Sequence, residues 1–362
     1  MAGPCPTELV RFLHSPGMEW SVVLDILTAG RDLTRGEARD AMTEIMEGRA
    51  DPAQVAAFVV ALRMKGESIE EMIGLVEALR SAAVAVPLED PSRLVDIVGT
   101  GGDRSHTFNI STTAALVAAG AGATVAKHGG RAASSRCGSA DVLEGLGMVI
   151  DLEPEAMANL VNQERFGFFF APRYHPAMRH AVPVRKALGI PTVFNVLGPL
   201  ANPAGARRYA MGVADRDMAE RMIHVLATLG AESAFVVHGE DGLDEVTTTG
   251  PTYILRLRDG EITHAEFTPE DFGVARSRAE DLLGGDVDVN VAIVRRILEG
   301  QPGPPRDAAV INAAVGIVAA GVAEGFAGGV EAARQAIDSG AAAGVLERVV
   351  ERSREYGSAA SP

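Results

Sequence analysis

The chain has 362 residues, 47% of them apolar, so it can bury the core of one large or two modest domains. Its formal net charge of −15 disfavours nucleic acid as a partner, because that kind of binding depends on a cationic surface. The two cysteines, Cys5 and Cys137, are too few for a disulfide framework and indicate the cytoplasm. The uncharged segment 105–126 contains an asparagine and several hydroxyls, so we predict buried core there and no membrane span.

From about Met18 to Leu79 the pattern is helical. Apolar residues recur at helical spacing after Met18, and Thr34 with Glu37 forms a capping box that opens a second helix. Further helices are expected from the Asp51-Pro52 pair and from Ser68. These four helices predict a small all-helical lobe over residues 1–85, completed by helices within about 170–190.

Strand-like and helix-like runs alternate beyond the proline-containing segment 83–92. This alternation predicts an α/β lobe over residues 86–362, with a mainly parallel sheet wrapped by helices. A hairpin turn is expected at residues 258–261, and from Asp307 the chain is predicted to be helical to its end. The predicted strands are 94–98, 123–126, 148–150, 192–194, 210–213 and 234–237, and the main predicted helices between them are 111–121, 141–146 and 216–229.

A glycine-rich loop follows the first of these strands. Gly99, Gly101 and Gly102 would let the backbone approach a ligand, with amides free to face an anion. The helix predicted from Ser111 would direct its N-terminal amides toward the same place. A strand, a glycine loop and a helix start predict a phosphate-binding site, although a tight turn without a ligand is the alternative.

A second candidate anion site, residues 127–135, follows the second strand. It contains two cations, Lys127 and Arg131, together with serines and a pair of glycines. Ligands of parallel sheets bind at the carboxyl ends of the strands, so this segment and the glycine loop are expected to share one cleft. The alternative is a basic loop around a core histidine, His128.

Two adjacent acids, Asp244 and Glu245, follow the strand predicted at 234–237. Adjacent carboxylates repel each other, and Mg²⁺ is the usual partner when substrate phosphates also coordinate it. Ser111 could offer a hydroxyl ligand to a second ion. A solvated acidic turn is the alternative.

Arg185 lies in a basic segment that begins at Arg173. Its planar guanidinium would suit a carboxylate in the cleft, whereas a basic helix surface is the alternative. The segment 195–203 is predicted to have a structural role. No nucleophile–base pair stands out, so no catalytic residue is assigned.

Several sequence blocks resemble, in order, the anthranilate phosphoribosyltransferase family. The resemblance implies a fold of the nucleoside phosphorylase/phosphoribosyltransferase type and usually a homodimer. It also implies Mg²⁺-dependent transfer of phosphoribose from phosphoribosyl pyrophosphate to the amine of anthranilate, in tryptophan biosynthesis. The blocks are 96–103, 109–112, 127–135, 171–185, 195–203 and 237–249, with two tail segments, 311–314 and 339–341.

The resemblance also implies roles for individual residues. Metal, as two Mg²⁺ ions in the family pattern, would be bound by Ser111, Asp244 and Glu245, and the acceptor by Gly99, Gly130 and Arg185. The phosphoribosyl donor would contact Gly99, Gly102, Asp103, Thr107, Asn109, Ile110, Ser111, Thr112, Lys127, His128, Gly129, Gly130, Arg131, Ala132, Ala133, Ser134, Ser135 and Ser139.

One residue departs from the family pattern at the acceptor site. The family usually has His-Gly-Asn-Arg, and here Gly130 replaces the asparagine. Loss of a polar contact to a charged ligand costs about 1.5–3 kcal/mol. We therefore expect Gly130 to weaken anthranilate binding or to admit a related aminobenzoate.

Three other functions compete with this interpretation. A paralogue could use another aminobenzoate-type acceptor. A pyrimidine nucleoside phosphorylase would share the fold, but that family has Lys-x-Ser-Thr-Gly-Gly where this chain has Asp96-Ile-Val-Gly-Thr-Gly-Gly. A nucleic-acid-binding relative is disfavoured by the negative charge. The expected partners are therefore small-molecule substrates and a second copy of the chain, without nucleic acid or membrane.

Overall fold

A computed structural model describes residues 19–132 and 136–359. Three predicted donor contacts, Ala133, Ser134 and Ser135, lie outside the described residues. Within the described ranges, no helix is both long enough and apolar enough to cross a membrane.

Four helices open the described chain: α1 (Trp20–Thr28), α2 (Arg35–Met46), α3 (Pro52–Lys65) and α4 (Ile69–Ser81). The capping box predicted at Thr34 is confirmed, because the Thr34 amide donates to Glu37 at 2.8 Å and the Glu37 amide donates back to Thr34 at 3.3 Å. The same reciprocal pair forms between Ser68 and Glu71. α2 packs closely on α4, and a Cβ at Gly74 would lie 2.2 Å from the Arg35 carbonyl oxygen.

One seven-stranded sheet organises the rest of the chain, in the order β3-β2-β1-β4-β5-β6-β7. β1 to β5 are parallel, whereas β6 and β7 are antiparallel and joined by the predicted turn at residues 258–261. The sheet is therefore mainly parallel, as predicted. Its strands are β1 (Leu94–Gly99), β2 (Thr124–Gly129), β3 (Phe166–Phe170), β4 (Arg208–Gly212), β5 (Ser233–Gly239), β6 (Thr252–Arg258) and β7 (Glu261–Phe267).

Helices cover this sheet, and some of them contact the N-terminal helices. α9 packs on α3 and α10 packs on α4, so the chain between β3 and β4 returns to the helical lobe. The helices are α5 (Ile110–Gly120), α6 (Ser139–Leu146), α7 (Pro154–Glu164), α8 (Ala171–Tyr174), α9 (Val182–Leu188), α10 (Phe194–Leu200), α11 (Arg216–Thr228), α12 (Val287–Leu298), α13 (Pro304–Ala319), α14 (Gly325–Asp338) and α15 (Ala341–Ala359).

Two predicted strands are wrong. Residues 148–150 form a loop, in which the Val149 amide donates to the Ser353 hydroxyl of α15 instead of to a strand. Residues 192–194 lead into α10, because the Asn195 side chain accepts the Thr192 amide and turns the chain into a helix. Both runs are apolar and short, and periodicity alone does not distinguish such runs from buried loops or helices. The aromatic strand β3 was not predicted.

A buried carboxylate joins the centre of the sheet to its loops. Asp96 of β1 is fully buried; its Oδ1 accepts the His128 amide of β2 at 3.1 Å, and its Oδ2 accepts Asn202 Nδ2 at 2.7 Å. Asn202 also donates to the Ala126 carbonyl at 2.8 Å. The structural role predicted for residues 195–203 is thus confirmed at Asn202, which fixes this loop against β1 and β2.

Asp96 makes folding stability depend on pH. Burial raises the pKa of Asp96 to about 7, from 3.8 in the unfolded chain. Between about pH 4 and pH 7 the unfolded chain loses this proton while the native state keeps it, so rising pH favours unfolding. We expect the free energy of unfolding of wild type, minus that of Asp96→Asn, to decrease across this window. Urea unfolding of both proteins at several pH values measures this difference in the free energy of unfolding. A difference that stays constant with pH would contradict the prediction.

Candidate active site

The carboxyl ends of the parallel strands meet at one edge of the sheet, where the chain places its polar loops. The strand order reverses at β1, which has β2 on one side and β4 on the other. Ligands of open α/β sheets bind in the crevice at such a switch point. The glycine loop follows β1, the segment 130–138 follows β2, and Asp244 with Glu245 follows β5.

The loop between β1 and α5 has an unusual backbone. Gly101 and Gly102 have φ of 66° and 84°, and the non-glycine residues Arg104 and His106 have φ of 60° and 56°. Left-handed conformations are uncommon for non-glycine residues and often mark functional loops. Asp103 accepts hydrogen bonds from the amide and hydroxyl of Ser105. The predicted succession of strand, glycine loop and helix is confirmed.

The two acids are held against this loop. The Gly101 amide donates to Asp244 Oδ2 at 2.6 Å, and the Ser111 amide, in the first turn of α5, donates to Glu245 Oε1 at 3.0 Å. The approach requires glycine at two positions. A Cβ on Gly99 would lie 2.4 Å from Asp244 Oδ2, and one on Gly212 would lie 1.6 Å from the Asp244 carbonyl oxygen.

Asp244 and Glu245 have too little positive charge around them to offset their own negative charge. Burial, together with the charge of Asp103, raises the pKa of Asp244 to about 7. Burial and then the charge of Asp244 raise the pKa of Glu245 to about 8. Both acids therefore favour a nearby cation, which would restore their charged forms.

Lys127 supplies part of that charge from inside the protein. Its side chain is buried, and its Nζ donates to the Ile97 carbonyl at 2.6 Å and to the Ser111 hydroxyl at 3.3 Å. Burial lowers the pKa of Lys127, whereas Asp96, Glu245 and Asp244 act in the opposite direction. Lys127 thus contacts the Ser111 hydroxyl and is attracted electrostatically by both acids.

The donor set fits Mg²⁺. Within residues 19–132 and 136–359, no group of three or more histidine, cysteine or acidic side chains could hold a metal alone. Mg²⁺ seldom needs such a cage, because one or two carboxylates together with substrate phosphates and water usually hold it. Asp244 and Glu245 could supply the carboxylates, and Ser111, whose amide donates to Glu245, could supply a hydroxyl.

The segment after β2 is closed by one aspartate of α6. Asp141 Oδ2 accepts the amides of Ala132 at 3.1 Å and Gly138 at 2.8 Å, so both sides of the loop are fixed to the helix start. The Arg131 guanidinium pairs with Asp141 and Glu144 and lies over the Phe170 ring. Its charge is therefore directed toward α6.

His128 is buried and neutral. Its Nδ1 lies 3.1 Å from the Gly198 carbonyl oxygen, so this nitrogen carries the proton. Burial, with the neighbouring His175, lowers the pKa of His128 to about 3. Its Nε2 has no hydrogen-bond partner in the described part of the chain. The alternative interpretation, a core histidine whose hydrogen bonds are satisfied within the protein, therefore holds for Nδ1 but not for Nε2.

Asn109, immediately before α5, presents an unused acceptor. Its Nδ2 donates to the Cys137 carbonyl at 3.1 Å, while its buried Oδ1 has no partner among the described residues. Buried polar atoms are normally hydrogen-bonded, so a ligand hydroxyl is a suitable donor to it. Thr107 pairs with Leu283, which fixes the loop before Asn109.

Arg185 has no ion-pair partner in the described ranges. It lies on α9, with its guanidinium carbon 5.4 Å from the centre of the Phe194 ring. Burial lowers its pKa. A partly desolvated guanidinium without a carboxylate beside it suits an anionic ligand.

Gly130 has room for a Cβ among the described residues. A Cβ there would have Ala171 Cβ at 4.0 Å as its only described neighbour within 4 Å, and its φ is not in the left-handed region.

Asn312 was not assigned a role from the sequence. This buried residue of α13 holds the backbone of Val246, directly after the acidic pair. Its sequence signals are an amide inside the apolar run 308–319 and its place in the tail segment 311–314 of the family resemblance.

Two family models match most of the chain. One describes the glycosyl transferase family a/b domain and matches residues 91–343; the other describes the glycosyl transferase family helical bundle domain and matches residues 22–83. Among curated relatives, the anthranilate phosphoribosyltransferase of Roseiflexus castenholzii is 52% identical, over 90% of this chain and 95% of the relative. The protein of that name from Chloroflexus aggregans is 52% identical over 91% and 96%.

Solved structures give the same result. Anthranilate phosphoribosyltransferase from Thermus thermophilus superposes with a TM-score of 0.87 at 43% identity, covering 92% of this chain and 99% of that one. The Saccharomyces cerevisiae enzyme in complex with PRPP and Mg has a TM-score of 0.86 at 28% identity, covering 93% and 98%. The same enzyme with 4-fluoroanthranilate has a TM-score of 0.84 at 27% identity, covering 94% and 100%.

Proposed function

The chain belongs to the anthranilate phosphoribosyltransferase family, and from this premise we propose how its residues serve the reaction. It transfers the phosphoribosyl group of 5-phosphoribosyl 1-pyrophosphate to the amine of anthranilate, releasing pyrophosphate, in tryptophan biosynthesis. The relatives favour this reaction over nucleoside phosphorolysis and over nucleic-acid binding. The observation that best supports the roles below is the pair of buried acids, Asp244 and Glu245, held by amides of the glycine loop and α5.

The phosphoribosyl donor binds along the edge formed by the loop after β1, the start of α5 and the loop after β2. Backbone amides of the glycine loop face its phosphates, and Asn109 Oδ1 accepts a sugar hydroxyl. The end of β2 and the segment after it contribute mainly through their backbone, because the Lys127 and Arg131 side chains already have partners. The donor residues are Gly99, Gly102, Asp103, Thr107, Asn109, Ile110, Ser111, Thr112, Lys127, His128, Gly129, Gly130, Arg131, Ala132, Ala133, Ser134, Ser135 and Ser139.

Asp244 and Glu245 would hold two Mg²⁺ ions together with the donor's phosphates, and the Ser111 hydroxyl would be a further ligand. When bound, Mg²⁺ neutralises the negative charge that develops on the leaving pyrophosphate. The raised pKa values of Asp244 and Glu245 support this proposal, since a cation would satisfy both groups.

Arg185 holds the carboxylate of anthranilate, with Gly99 and Gly130 beside the ring. The amine is already a nucleophile, so the protein positions it behind the sugar carbon. The C–N bond forms as the C–O bond to pyrophosphate breaks, and the amine gives up a proton to the released pyrophosphate or to water, because no protein base is assigned. Good positioning can supply up to about 7–11 kcal/mol of the acceleration, and no covalent enzyme intermediate is required.

The chain acts as a homodimer. Four large apolar side chains are exposed on α1, α3, α9 and the turn after α9: Val22, Met64, Val182 and Ile190. α3 packs on both α1 and α9, so the helices that carry these side chains are neighbours. Exposed apolar side chains on neighbouring helices support an interface with a second copy. The cytoplasmic location stays a prediction.

Removing both metal carboxylates should abolish turnover. We expect the double variant Asp244→Ala/Glu245→Ala to lose at least about 100-fold in kcat/KM, because even residues that only support metal ligands are worth 10- to 100-fold. Pyrophosphate release at varied Mg²⁺ measures it. The matched control removes two adjacent exposed acids, Glu270 and Asp271, and should retain activity. Turnover untouched in the first variant would refute the metal site.

Arg185→Ala should impair acceptor binding selectively. Losing a charge-assisted hydrogen bond costs about 1.5–3 kcal/mol, or roughly 10- to 150-fold in the KM for anthranilate. The dissociation constant of the donor, measured by calorimetry without anthranilate, should not change. Equal losses for donor and acceptor would instead indicate a structural role for Arg185.

Gly130→Asn tests the departure from the family pattern. Among the described residues, the nearest atom to a Cβ at this position would be Ala171 Cβ at 4.0 Å. An added amide should lower the KM for anthranilate by up to about 10- to 100-fold and reduce activity toward other aminobenzoates. Steady-state kinetics with a panel of aminobenzoates measures both, and unchanged acceptor constants would disprove the idea. Gly130→Ala, which adds no polar group, is the control.

A further inference from the structure

The amide of Asn312 clamps the backbone that follows the acidic pair. Its Oδ1 accepts the Val246 amide at 2.8 Å, and its Nδ2 donates to the Val246 carbonyl at 2.9 Å. The same Nδ2 donates to the Ala308 carbonyl of its own helix at 2.9 Å. One side chain thus satisfies both polar groups of a residue that is 1% exposed.

Because Val246 is buried, water cannot readily replace these hydrogen bonds to its backbone. Asn312 is itself 4% exposed and lies in α13, the buried helix that packs on α5, β1, β4 and β5. A buried amide or carbonyl without a hydrogen-bond partner destabilises the folded protein by the full free energy of removing that group from water. The clamp therefore fixes where the loop after β5 can lie.

The clamp acts next to the two carboxylates. Val246 directly follows Glu245, whose carboxylate accepts the amide at the start of α5. On the other side, the Asp244 carbonyl oxygen is pressed against Gly212 at the end of β4. The acidic pair is held between α13 and β4, and α13 also packs on α5, which carries Ser111.

The neutral amide is suited to this place for two reasons. An aspartate could accept the Val246 amide but could not donate to the Val246 carbonyl when ionised. It would also add negative charge next to a pair that already lacks positive charge.

We propose that Asn312 is a positioning residue for the Mg²⁺-binding carboxylates. It touches neither substrate nor metal and acts by setting the backbone of Val246. The proposal rests on the metal role proposed for Asp244 and Glu245. It adds a supporting residue from a different helix, 66 positions along the chain from Val246.

Calorimetry of the donor tests the proposal without relying on turnover. Titration of 5-phosphoribosyl 1-pyrophosphate with Mg²⁺, in the absence of anthranilate, is compared for wild type, Asn312→Asp and Asn312→Ser. We expect both variants to bind the donor about 10- to 100-fold more weakly, the usual effect of removing a residue that orients a metal ligand. The Mg²⁺ concentration for half-maximal rate should rise by a similar factor, while the KM for anthranilate stays within about twofold.

Ser353→Ala is the matched control. Ser353 is also fully buried, and its hydroxyl accepts the Val149 amide at 3.0 Å, but it lies on α15. Thermal unfolding followed by circular dichroism establishes that each variant is folded. Wild-type affinity in the folded Asn312 variants, or equal weakening in Ser353→Ala, would overturn the proposal.

The remaining outcomes are also decisive. If Asn312→Asp does not fold, Asn312→Ser decides, and if neither folds the residue is a stabilising one and the positioning role is rejected. The variant Asp244→Ala/Glu245→Ala separates the two proposals. If it keeps Mg²⁺-dependent donor binding, the metal site itself is wrong. If it loses that binding while the Asn312 variants keep it, only the role of Asn312 is wrong.

Discussion

The structure depends on placing two carboxylates, Asp244 and Glu245, inside the protein against backbone amides. Buried negative charge is unfavourable unless it is paired or hydrogen-bonded, and here each acid receives one amide, from Gly101 and from Ser111. Glycine at positions 99 and 212 allows the approach. The remaining deficit of positive charge makes this edge of the sheet receptive to a cation that arrives with a phosphate ligand.

The basic residues of β2 and of the segment after it serve this arrangement indirectly. Lys127 lies inside the protein between Ile97 and Ser111, and Arg131 pairs with acids of α6. His128 is neutral and hydrogen-bonded to a carbonyl. Attraction for an anion at this edge thus comes mainly from amides and from metal, which is consistent with a chain whose net charge is −15.

Much of the architecture could be predicted from local signals. The capping box at Thr34, the glycine loop after β1 and the turn at 258–261 each follow from residues within a few positions of one another. Residues 148–150 and 192–194 were misassigned because short apolar runs have no distinctive period, and their true partners, Ser353 and Asn195, are side chains. Asn312 was missed for a related reason. Its function depends on Val246, and nothing in either local sequence specifies that contact.

The hydrogen bonds at the acidic pair also bear on how the protein is made. Gly101 and Asp244 are 143 positions apart, and Ser111 and Glu245 are 134 apart. Contacts of such long range form late, because closing a long loop of disordered chain opposes them entropically. During synthesis, the glycine loop would leave the ribosome well before its acidic partners. A nascent chain that ends before β5 can therefore build β1 and β2 yet has no acids to place against them.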